Sequence, residues 1–98
     1  MAKGYIIARI DVTDAETYAR YTARTPAAAA SFGGRFLVRA GRCVQVEGEG
    51  RARNIVIEFP DFDTARAFYA SDTYQEILPT ALRASVRDLM IVEGVEED

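Results

Sequence analysis

The strongest constraint in this chain is the order in which its hydrophobic spacing changes. Residues 5–12 read YIIARIDV, a run rich in β-branched side chains and long enough for one strand. Behind it Tyr18, Tyr21, Thr25, Ala28 and Phe32 recur at steps of three and four, the spacing of one helix face. Alternation returns in RFLVR at 35–39, in CVQVE at 43–47 and most cleanly in RNIVIEF at 53–59. Helical spacing comes back through Phe62, Ala65, Phe68 and Tyr69, then Tyr74, Ile77, Leu78, Ala81, Leu82 and Ser85. Residues 88–92, DLMIV, close the series as a strand.

Punctuation agrees with these periods. Thr13 followed by Glu16 has the capping-box spacing. Pro26 predicts a kink or a fresh helical start with the proline in its first turn. Gly33-Gly34 supplies a left-handed C-terminus at no Cβ penalty. Gly41 reads as a bulge or bend, and 48–51 as the turn of a hairpin joining the two middle strands. Pro60 stops the second of these, and Asp61 or Asp63 caps the next helix. A break is expected near Ser71-Asp72, and Pro79 marks a first turn or a kink. The order β-α-β-β-α-β, without repeat or linker over residues 1–98, specifies one α+β domain. That order is a ferredoxin-like βαββαβ fold, a four-stranded antiparallel sheet with two helices on one face.

Composition narrows what such a domain does. The chain has no histidine, no tryptophan and one cysteine, Cys43, which reads as a small buried hydrophobe on a strand. No metal site is expected, because zinc wants several Cys or His ligands. Histidine-based triads and histidine-ligated haem are excluded too, so no cofactor is expected. A lone cysteine forms no internal disulfide, which suits a reducing compartment. There is no signal-peptide core and no apolar stretch of membrane-spanning length, so the expected location is cytoplasmic. Net charge is −3, which argues against nucleic acid as a partner.

Strand parity separates two faces. Ile6, Ala8, Ile10, Phe36, Val38, Ile55, Ile57 and Phe59 form an apolar set for the helix side. Tyr5, Ile7, Arg9, Leu37, Arg39, Asn54, Val56 and Glu58 form a mixed set with an apolar centre. A monomer leaves such a face wet; a homodimer pairing through the sheet covers it.

The candidate chemistry lies on the same strands. Glu58 sits on what reads as a central strand, where a carboxylate costs free energy unless paired. With a raised pKa it is a proton-transfer base; the alternative is an ion pair organising the sheet. Pairing Glu47 with Arg53 across the turn brings Arg42 near it, a bulge at Gly41 brings Arg39 instead, and Tyr5 lies at the same level. Arg35 and Arg39 share one face of the strand, as a clamp for a carboxylate, enolate or phenolate or as bridges to other carboxylates. Tyr18, Tyr21, Tyr69 and Tyr74 lie on helices and either line a cleft for an aromatic or carboxylate ligand or fill core. The catalytic candidates are therefore Glu58 and Arg39, and the ligand-binding ones Tyr5, Tyr18, Tyr21, Arg35, Tyr69 and Tyr74.

Nearly end to end, the chain resembles the domain-of-unknown-function 1330 family, within the dimeric α+β barrel superfamily. The resemblance rests on Tyr18-x-x-Tyr21, GGRFLVR at 33–39, RNIVIEFP at 53–60, Ser71-x-x-Tyr74-Gln75 and IVEGV at 91–95. It implies a ferredoxin-like protomer whose sheet pairs with a second copy, forming a dimeric α+β barrel, and it implies no particular reaction. Two functions remain open. One is binding of a small organic ligand, or cofactor-free proton transfer or oxidation, in a helix–sheet cleft. The other is a non-enzymatic homodimeric module.

Overall fold

A computed structural model describes residues 1–96. Its elements are β1 (Gly4–Val12), α1 (Ala15–Thr22), α2 (Thr25–Ala30), β2 (Arg35–Arg39), β3 (Arg53–Phe59), α3 (Phe62–Ala70), α4 (Asp72–Ala84) and β4 (Ser85–Glu93). The strands form one antiparallel sheet in the order β2-β3-β1-β4. This is the ferredoxin-like arrangement, with each helical layer split in two. Among the described residues no helix is long and apolar enough to cross a membrane.

Local chemistry accounts for the breaks. Asp14, rather than Thr13, caps α1, its carboxylate accepting from the Thr17 backbone N–H at 3.2 Å and from the Thr17 hydroxyl at 2.7 Å. Thr13 instead donates its backbone N–H to the Ala84 carbonyl at the end of α4. Pro26 falls in the first turn of α2, where its missing N–H costs nothing. Gly33, at φ 75°, then turns the chain as its N–H reaches the Ala30 carbonyl. Asp61 caps α3 and Ser71 caps α4. Pro79 lies inside α4, which packs its buried face of Tyr74, Ile77, Leu78, Ala81 and Ala84 on the core in spite of it. Leu82, expected inward, is exposed because it sits off that stripe.

β1 is the centre of the fold. Paired to β3 from Gly4↔Phe59 to Ile10↔Arg53, it also runs beside β4 from Gly4↔Glu93 to Val12↔Ser85. The nine-residue edge it offers explains why β4 is longer than the five residues its own alternation marks. Ile6, Ala8 and Ile10 face the helices and are buried with Ile55, Ile57, Phe59 and Phe68. Each large side chain so buried contributes roughly 1.5–3 kcal/mol. Gly4 is obligatory: a Cβ there would stand 2.6 Å from the Phe62 Cα, where β1 meets the start of α3.

The middle of the chain departs from the expected hairpin. Residues 40–52 form no strand, Glu47 does not pair with Arg53, and Cys43 is exposed rather than buried. Ala40 adopts φ 56°, a left-handed turn that carries the chain away from β3. The bulge lies at Leu37 and not at Gly41: Phe36 pairs with Ile57, yet Val38 already pairs with Val56 and Arg39 with Ile55. That extra residue reverses the parity of the rest of β2. Val38 lies on the outer face with Val56, and Arg39 crosses to the helix side with Ile55.

Candidate functional site

The reversal at Leu37 separates two polar constellations on opposite faces of the sheet. On the outer face Glu58 sits opposite both Tyr5 and Arg35 in the strand register. The Tyr5 hydroxyl donates to its carboxylate at 3.2 Å and Arg35 Nε at 3.0 Å. The partner is therefore Arg35, neither Arg42 nor Arg39, and Arg35 and Arg39 do not share a face. The Arg35 hydrogen bond holds the Glu58 carboxyl below its ordinary value; partial burial opposes this, and the Tyr5 hydroxyl adds to it. The expected raised pKa is thus a lowered one, and the geometry is that of an ion pair. Farther along the same face Arg51 bridges Asp11 and Asp88 at 2.9 Å each, tying the 40–52 loop to the sheet.

On the helix side lies a narrow cleft, partly open to solvent, with a free volume of about 30 Å³. Its floor is Ile6, Ala8, Ile10, Ile55 and Ile57, and its roof includes Phe68 and Thr25. Into these apolar walls three strands each send a guanidinium, Arg39 from β2, Arg53 from β3 and Arg87 from β4. α1 contributes Tyr18 and Tyr21, and α4 contributes Tyr74. Among the described residues no aspartate or glutamate lines it.

The cations are held by rings and hydroxyls in place of carboxylates. Arg53 lies 5.5 Å from the Tyr18 ring centre, Arg87 5.2 Å from that of Tyr21, and Arg39 5.0 Å from that of Phe36. Arg87 Nη2 donates to the Tyr21 hydroxyl at 3.3 Å, which stands 2.8 Å from the Tyr74 hydroxyl. Arg53 Nε and Arg87 Nη1 are both buried and form no hydrogen bond among the described residues. Buried donors without acceptors are uncommon, because each costs about 1–3 kcal/mol or more when charged. Burial pushes the Tyr18 and Tyr74 phenols up, and for Tyr74 the neighbouring Tyr21 adds to it, so both stay protonated as donors. For Arg87 burial, the largest effect, pulls down, but the Tyr21 and Tyr74 oxygens outweigh it and raise the value.

Of the residues singled out in the sequence, Arg39, Tyr18, Tyr21 and Tyr74 meet in this cleft. Tyr69 packs on Tyr74 with ring centres 5.3 Å apart and lines a neighbouring groove with Phe62, Arg66 and Leu82. Tyr5, Arg35 and Glu58 lie on the other side of the sheet, so Glu58 and Arg39 do not form one catalytic pair. Sequence reasoning passed over Arg53 and Arg87. The signal was parity: Arg53 is two residues before Ile55, and Arg87 two before Leu89, so both sit in step with the apolar, helix-facing sets.

Solved structures share this fold at low identity. A protein of unknown function from Rhodopseudomonas palustris, RPA0582, superposes with a TM-score of 0.75 at 14% identity, covering 98% of this chain and 85% of its own. SnoaB, a cofactor-independent oxygenase from Streptomyces nogalater, gives 0.68 at 15%, covering 99% and 97%. A dabb family protein with a ferredoxin-like fold from Mesorhizobium loti gives 0.62 at 8%, covering both chains fully (100% and 100%). No curated protein matches the chain. The family model described as a domain of unknown function, DUF1330, matches residues 3–95, and the chain belongs to that family.

Proposed function

We propose that this protein binds a small organic anion with an apolar or aromatic body in the cleft between its helices and sheet. The observation that carries the reading is the unbalanced charge of the cleft among the described residues: three guanidiniums, no carboxylate, and two buried N–H donors without acceptors. The charged groups there are all guanidiniums, beside phenols and two threonine hydroxyls, so the fitting ligand group is acceptor-rich and negatively charged. That free volume holds about two waters, so a ring-sized ligand enters as side chains lining the cleft move apart. Chemistry in the cleft, if the bound anion reacts, runs without a carboxylate or histidine base.

A thermal-shift screen against small carboxylates, phenols, quinones and lactones tests the reading. A ligand at 100 times its Kd stabilises the native state by about 2.7 kcal/mol. For a domain of this size that is a rise on the order of 10 °C. A broad panel with no shift would remove the reading.

We also propose that a second copy covers the outer sheet face. Val38, Val86, Met90 and Val92 are exposed there around Ile7 and Val56, and the adjacent 43–47 segment presents Val44 and Val46 to solvent with the alternation of a strand. Sedimentation equilibrium should give a dimer for the wild type and a monomer for Val56→Asp. A wild-type monomer at micromolar concentration contradicts the pairing.

A further inference from the structure

We infer that the cleft captures weakly acidic phenols and enols in ionised form, releasing their proton to solvent. This rests on the anion-binding reading above and goes further by naming the acid. The titratable groups facing the cleft are Arg39 of β2, Arg53 of β3, Arg87 of β4, Tyr18 and Tyr21 of α1 and Tyr74 of α4. β1, α2 and α3 present only apolar or threonine side chains to it. Among the described residues, the charge a ligand meets is therefore positive from three strands and negative from none.

The cleft lining offers several donors to a ligand oxygen. Arg53 Nε and Arg87 Nη1 are two. A third comes from the Tyr21–Tyr74 pair: of its two phenolic protons, one is used in the 2.8 Å bond between the hydroxyls, and the other remains to be donated onward. Arg87 Nη2, donating to Tyr21, polarises that pair in the same direction. An oxygen accepting three such bonds carries negative charge far better than a hydroxyl proton.

The walls select the acid. A carboxylate keeps its charge on two strongly hydrated oxygens, and the narrow, mostly apolar cleft leaves little room for its water. A phenolate or enolate spreads its charge into a flat apolar frame, which suits Ile10, Ile55 and Phe68. Such acids are largely neutral when free. An opposite charge within about 4–6 Å favours the ionised form by one to three pH units. On binding the ligand O–H bond breaks heterolytically, the electron pair stays on oxygen, and the proton passes to water or buffer. No electron is transferred.

The test uses 4-nitrophenol, whose phenolate absorbs visible light and whose phenol does not, with benzoate as a companion ligand. Absorbance is titrated against pH for the probe alone and with the full chain in saturating excess. The midpoint is expected to fall by one to two units, a 10- to 100-fold preference for the phenolate. Arg53→Met and Arg87→Met should each lose most of that shift, while Arg83→Met, an exposed helix residue, changes net charge equally and should keep it. If only benzoate binds, the inference is overturned and anion binding stands; if nitrophenol binds with its midpoint unchanged or raised, the inference is overturned and anion binding stands only where benzoate binds as well. If neither binds, both fall.

Discussion

The double variant Arg53→Met/Arg87→Met is expected to melt at or above the wild-type temperature and to have lost anion binding. Both guanidiniums are largely covered, and each holds a buried nitrogen with no acceptor. Methionine fills a similar volume and removes two desolvated charges. Replacement of buried ionic groups by apolar ones of like size is commonly neutral or stabilising by 1–4 kcal/mol. The ring contacts and the Arg87–Tyr21 hydrogen bond are lost, so the net gain should be about 0–2 kcal/mol, or up to roughly 10 °C. Affinity for an anionic ligand should fall by on the order of 100-fold or more, since a hydrogen bond to a charged group contributes about 1.5–3 kcal/mol. Differential scanning calorimetry and isothermal titration read the two effects. A variant that unfolds several degrees early would instead make the arginines structural. Stability gained where binding is lost is the signature of a site maintained for function.

Phe68→Ala should have the largest effect on stability, about 3–5 kcal/mol. Phe68 is 1% exposed and packs edge-on to Phe32 at 5.7 Å, against Phe59 at 5.1 Å and against Tyr74 at 5.0 Å between ring centres. It joins three parts of the chain: the turn after α2, the end of β3 and the start of α4. A domain near 100 residues has only about 5–15 kcal/mol in total, so the variant loses a large share of it. Urea denaturation should place the loss, with a fall in melting temperature of about 20 °C. Phe68→Leu, which keeps most of the volume, should cost under about 1.5 kcal/mol. A loss below 1 kcal/mol for the alanine variant would mean that helix and sheet repack without it.

Much of the scaffold was legible in the sequence. The alternation of β1 and β3, the stripes of α1 and α4, the restart at Pro26 and the break at Ser71 are local signals. A side-chain period or a cap involves only residues within a turn of one another. The apolar face of β1 and β3 was identified from Ile6, Ala8, Ile10, Ile55, Ile57 and Phe59, all of which are buried. The position of Tyr5 beside Glu58 also came from strand level alone.

The site was less legible, because it depends on how strands meet. Alternation in residues 35–39 reads as one uninterrupted strand, and only pairing with β3 reveals the extra residue at Leu37 that sends Arg39 into the cleft. CVQVE has the period of a strand but no neighbour to pair with, so it stays loop. Arg53 and Arg87 lie at strand ends, where charge usually means solvent, and they become cleft residues because α1 and α4 cover them. What the sequence determined by itself was the order of elements and the buried face of each, since both depend on spacing along one chain. Register, the bulge and the placement of three arginines along one cleft were decided by tertiary structure. Those are relations between segments that spacing along the chain does not encode.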